Sequence, residues 1–132
     1  MFAKFNALNT KDPLDRFITR TLNSMKRAHR QRLVEIALTR EDLTRLWYHQ
    51  EGLCAISGRL MEIPDMLHDK HNNVGRRRTH LSPWRASLDR IDSSQGYMVG
   101  NVQFVCTIAN LAKADFTLEE LKAFCMAVVG RC

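Results

Sequence analysis

The feature that most constrains this chain is a change of period inside one uninterrupted stretch, "SLDRIDSSQGYMVGNVQFVCTIANLAKAD", residues 87–115. The segments "ASLDRI" and "NVQFV" alternate small or polar residues with apolar ones, the two-residue period of a strand with one buried face. Between them, "DSSQGYMVG" holds two glycines and two serines. That connection is too long for a tight hairpin turn and suits a structured loop. After Val105 the spacing turns helical, with Ile108, Leu111 and Ala112 expected to pack on the strands. The stretch reads as strand, loop, strand, helix, and it commits the chain to an α+β fold.

Helical signals flank this unit. Asp12 before Pro13 is an N-cap followed by proline at the first helical position. Leu14, Phe17, Ile18, Leu22 and Met25 then recur at helical spacing, with Leu33 and Ile36 expected to continue the stripe. Arg16, Arg20, Lys26, Arg27, Arg30 and Arg32 lie between them, so the expectation is a long amphipathic helix with a basic outer face. Thr39 with Asp42 forms a capping pair ahead of Leu43, Leu46 and Trp47, and Gly52 is placed to end that helix. "LCAISGRLM" reads as a short strand or turn leading into a hairpin, with Ser57 and Gly58 turning it. Residues 64–83 lose periodicity and read as a loop of about 20 residues, a length usually tied to function. Near the end, Phe116, Thr117, Glu120 and Leu121 combine a hydrophobic staple with a capping box, opening a helix that runs to Gly130. The expected architecture is one mainly helical α+β domain over 1–132. It divides into a basic helical extension over 1–38 and a core over 39–132, whose hairpin-plus-helix unit occupies 86–114.

Charge narrows the partner. Of 20 basic and 14 acidic residues, residues 1–38 carry 8 and 3, and residues 70–90 carry 6 and 1, leaving 6 and 10 for the remainder. Two basic patches on a mildly acidic body suit a polyanion such as nucleic acid, because each cation set against a phosphate releases condensed counterions. The same clustering also describes a solvated basic face. No window reaches the run of about 18 apolar residues that a membrane span needs, and the first residues lack the apolar core of a secretory signal. The expectation is a cytoplasmic protein with no membrane contact. Cys54, Cys106, Cys125 and Cys132 form no CxxC pair, so they read as reduced, mostly buried thiols without a structural zinc.

Asp89 on the first strand and Asn110 on the helix offer the oxygen ligands that a hard cation such as Mg²⁺ prefers, with water and substrate phosphate completing its shell. Taken alone, one Asp and one Asn at this spacing also describe an exposed strand carboxylate and a surface helix amide.

The stretch resembles the core of the HNH endonucleases, also called His-Me finger or ββα-metal nucleases, and in particular small phage-type members reading "SLDRIDSSxGYxxGNVQxVC...N..K". The likeness covers residues 87–113 almost without a gap, and "LTREDLTRLWYHQEGLCAISGRLM" resembles the segment preceding that core. The resemblance implies a divalent-metal-dependent DNA endonuclease, monomeric or homodimeric, holding one Mg²⁺ or Mn²⁺. It implies Asp89 and Asn110 as metal ligands, Asn101 as the residue that holds the loop, and Lys113 as a phosphate contact. Arg76, Arg77, Arg78, Arg85 and Arg90 are the further DNA contacts expected. Familiar members carry a histidine where Arg90 stands, and arginine stays protonated, so it cannot take a proton from water. Arg90 is instead expected to clamp the scissile phosphate. The base is expected from His80, from Asp92, or from the metal's own activation of water. Members with a zinc staple carry CxxC pairs, whereas Ser57 stands at the second position here. The alternative is an HNH-type scaffold that has lost hydrolysis through Arg90 and keeps only nucleic-acid affinity.

Overall fold

Helix α1, Pro13–Arg32, starts where the Asp12 carboxylate accepts the Leu14 N–H at 3.1 Å, with Pro13 in the first turn. It buries Leu14, Phe17, Ile18 and Met25 in the core and exposes Arg20, Lys26, Arg27, Arg30 and Arg32, while Arg16 is half-buried. The structure is a computed structural model that describes residues 12–64 and 82–132. The stripe does not continue past Arg32 as expected. Leu33 closes the helix in the left-handed region at φ 56° and is 84% exposed. Ile36 belongs to β1, Ile36–Ala37. Helix α2, Arg40–His49, follows a complete capping box between Thr39 and Asp42. The two Thr39 hydrogen bonds hold the Asp42 carboxyl below its ordinary value. Glu51 and Gly52, both at positive φ, turn the chain after α2.

A knuckle comes next, with Leu53 bridged antiparallel to Leu60 and Gly58 at φ 72°. Strand β2, Ala86–Arg90, then pairs antiparallel with β4, Val102–Cys106, placing Leu88 opposite Phe104 and Asp89 opposite Gln103. The loop between them contains β3, Tyr97–Met98, which pairs in parallel with β1. This second small sheet ties the loop to the chain just beyond α1. Helix α3, Thr107–Lys113, follows β4 directly, and α4, Leu118–Val129, begins with the Thr117–Glu120 capping box. Among the described residues the fold is α+β, with four helices and two small sheets.

The hairpin lies between two layers. On one face Phe104 meets Phe17 of α1 and Trp47 of α2, with ring centroids 5.6 and 5.4 Å apart, and Phe17 meets Trp47 at 6.0 Å. Three elements thus share one aromatic cluster, and α1 is built into the core. Gln50 pins the outer edge of β4 by mimicking a strand. Its amide donates to Phe104 O and accepts from Phe104 N, both at 2.9 Å. The other face of the hairpin carries α3, and the face α3 offers differs from expectation. Ile108 and Leu111 are about half exposed and Ala112 is exposed. Asn110 and Lys113 turn to the strands instead. Helix α4 buries only Leu121, and Phe116 and Phe124 remain exposed. Among the described residues, no helix is long and apolar enough to cross a membrane.

Candidate functional site

Alternation along β2 sends Ser87 and Asp89 to one face, and α3 packs against that face. Asn110 donates its amide N–H groups to Ser87 Oγ at 2.5 Å and to Leu88 O at 3.2 Å. One turn further along α3, the Lys113 ammonium donates to Asp89 Oδ1 at 3.2 Å and to Arg90 O at 3.0 Å. Gln103, directly across the hairpin, donates to Asp89 Oδ2 at 3.0 Å. The seam between strand and helix therefore gathers Ser87, Asp89, Gln103, Asn110 and Lys113. Asp89 and Lys113 are both buried there.

The loop above the seam is held by Asn101. Its amide oxygen accepts the Asp92 N–H at 2.9 Å, and its amide nitrogen donates to Asp92 O at 3.1 Å and Gly96 O at 2.8 Å. Gly96 is needed for close approach, because a Cβ there would stand 2.6 Å from Glu35 O. Arg90 braces the same loop from the opposite face of β2. It donates to Ser93 O and Gln95 O, each at 2.9 Å, and its guanidinium lies 5.3 Å from the centre of the Tyr97 ring. Asp92 accepts from the Ser94 hydroxyl at 2.6 Å and the Ser94 N–H at 3.0 Å. Those bonds, the hydroxyl first, hold its carboxyl below the ordinary aspartate value and make it a poorer proton acceptor.

A cavity of about 340 Å³ opens beside the seam, between α1 and β2, with Ser87, Asn110, Arg20, Arg85 and Tyr97 in its walls. Asp89 is not part of that lining, so the cavity reaches the Asn110 end of the seam. Lys26, Arg27 and Arg30 of α1 are exposed, as is Arg20, which lines the cavity. Trp84 is half-buried beneath the Arg59 guanidinium, which stacks over it at 3.8 Å. His80, Arg76, Arg77 and Arg78 lie outside the described residues.

The donor set can be compared with the needs of a small divalent ion. Asp89 offers carboxylate oxygens and Asn110 an amide oxygen, the Asn110 nitrogen being bonded to Ser87 Oγ and Leu88 O. These are the hard oxygen ligands that Mg²⁺ and Mn²⁺ take, and the residues fit such an ion in chemistry. Each Asp89 oxygen already accepts one hydrogen bond, which leaves lone-pair capacity but places a lysine charge against one of them. Among the described residues no cluster of three His, Cys, Asp or Glu side chains forms a ready-made metal cage.

A pair of thiols lies behind the hairpin. Cys54 Sγ accepts the Cys106 N–H at 3.3 Å and the Ser57 N–H at 3.5 Å. Burial pushes the Cys54 thiol up, but hydrogen bonds led by Ser57 outweigh it and leave the thiol below its ordinary value, whereas burial raises that of Cys106. Cys125 and Cys132 are exposed, contrary to the expectation that most of the thiols are buried.

Gln103, Ser87 and Gln50 were not anticipated from the sequence. The signal for the first two was available: Ser87 precedes Asp89 by one strand period, and Gln103 falls opposite Asp89 once "DRI" pairs with "NVQ". No protein-family model, curated protein or solved structure matches this chain.

Proposed function

We propose that the protein is an HNH-type endonuclease with a ββα-metal core, hydrolysing phosphodiester bonds in DNA with one bound Mg²⁺ or Mn²⁺. The observation that supports this reading is the placement of Asp89 and Asn110 along one strand–helix seam, Asp89 bonded to Lys113 and Gln103 and Asn110 to Ser87 and Leu88, beneath a loop held by Asn101. Asp89 and Asn110 would hold the ion, whose chemistry is to neutralise phosphate charge and favour attack by water. The residues of the chain do the rest. Asn101 and Arg90 fix the loop and with it the direction of β2, so that Asp89 is positioned before substrate arrives. The exposed cations of α1 and the neighbouring Arg85 bind the DNA backbone without reading its bases.

Arg90 favours a second reading. The residue at the usual proton-accepting position is an arginine engaged with two loop carbonyls, which is consistent with a scaffold that binds nucleic acid and does not cut it. Supercoiled plasmid separates the two. Nicked or linear product that forms with Mg²⁺, and is abolished by EDTA and by Asn110→Ala, supports the nuclease. Salt-sensitive DNA binding with no cutting in either metal supports the binding module.

A further inference from the structure

We infer that Lys113 acts as the internal counter-ion of Asp89 and competes with the divalent ion for it, so that metal uptake requires displacement of the lysine; this rests on the metal site proposed above. The Lys113 ammonium is 1% exposed, and among the described residues it donates to two acceptors, Asp89 Oδ1 and Arg90 O. Asp89, 4% exposed, has the ammonium on one oxygen and an uncharged amide on the other. The positive charge that balances the carboxylate therefore comes from the protein itself.

A dication on the same carboxylate would lie within a few ångströms of the ammonium in a site shielded from water, where like charges repel strongly. Occupancy by one cation disfavours the other. Such an arrangement keeps a buried carboxylate paired when metal is scarce, and it makes metal affinity weaker than the same ligands would give without the lysine. Lys113 is thus a positioning residue that sets the metal threshold of the site. A purely structural lysine would behave differently, since its removal would loosen the ligands and weaken the ion's binding.

The test is calorimetric titration of Mg²⁺ into the full chain at constant pH, comparing wild type, Lys113→Met and Asp89→Asn. The expected result is that Lys113→Met binds at least about tenfold more tightly than wild type, about 1.4 kcal/mol, while Asp89→Asn loses the binding. Equal or weaker binding by folded Lys113→Met overturns the inference while leaving the metal site intact. Wild-type binding that ignores Asp89→Asn, or no binding at all, removes the metal site and the inference with it.

If Lys113→Met does not fold, amine acylation of the wild-type chain followed by mass spectrometry gives the answer, with exposed Lys26 and Lys122 as references. Lys113 should be protected without metal and become reactive at saturating Mg²⁺. Protection that persists in the metal-bound chain overturns the displacement.

Discussion

Lys113 and Asp89 meet at 3.2 Å across the seam between α3 and β2, forming a buried ion pair, whereas Arg40–Asp15, Arg45–Asp42 and Lys122–Glu119 are partly solvated. Breaking a buried pair by removing one partner strands the other charge, typically at about 3–5 kcal/mol. Asp89→Ala should lose about that much stability in metal-free urea unfolding. The double variant Asp89→Leu with Lys113→Met should recover most of it, because no charge is then left uncompensated. Equal losses in the single and double variants would contradict this account of the pair.

Asn101 makes three side-chain bonds to loop backbone from a buried position. Asn101→Ala should cost about 2–4 kcal/mol, since each hydrogen bond contributes about 1 kcal/mol and the groups left unpaired add to that. Asn101→Asp keeps the acceptor for Asp92 N but faces the Asp92 and Gly96 carbonyls with oxygen, so it should rescue little. Hydrogen exchange at the Asp92 amide, compared with Phe104 in the core, checks that the effect begins in the loop.

Gly96 has room for no side chain. A Cβ there would lie 2.6 Å from Glu35 O, on the backbone that receives the Tyr97 N–H at 2.8 Å. Gly96→Ala should therefore disturb the pairing of β1 with β3 and cost about 1–3 kcal/mol. Gly100, with positive φ but open space around it, should tolerate alanine with strain alone, about 1–2 kcal/mol.

DNA affinity should fall linearly on a log–log plot against salt, with a slope set by the phosphates neutralised. Lys26→Gln and Arg27→Gln on the outer side of α1 should each weaken binding uniformly across sequences and reduce the slope by about 1. Unchanged slopes in both would remove α1 from the DNA surface.

Three of the four helix starts among the described residues were legible in the sequence because a cap is a local event: Asp12, Thr39 and Thr117 each meet an N–H two or three residues away. The two hairpin strands were legible because alternation survives in five residues. Lost from view were features decided by distant partners. The pairing of β1 with β3 joins segments about 60 residues apart through only two residues each, too short for periodicity. Helix α3 has seven residues, so its apolar positions could not reveal which side would face the strands. The hydrogen bonds of Asn110 and Lys113 decided that, leaving Ile108 and Leu111 half exposed. Asp89 and Asn110 were nameable in advance. That Asp89 would already be balanced by Lys113 was not, because a buried lysine has the same letter as a solvated one.

Whether Asp89 works as a carboxylate at a cutting site is read from the rate of plasmid nicking by Asp89→Asn in saturating Mg²⁺. This substitution keeps an oxygen for Lys113 but leaves its buried ammonium without a counter-charge, so the rate is taken per folded molecule, under conditions where the variant is folded. Nicking should be at least about a hundredfold slower, about 2.7 kcal/mol of lost transition-state stabilisation, with circular dichroism and DNA affinity near wild type. Nicking within twofold of wild type by the folded variant would contradict that role for Asp89.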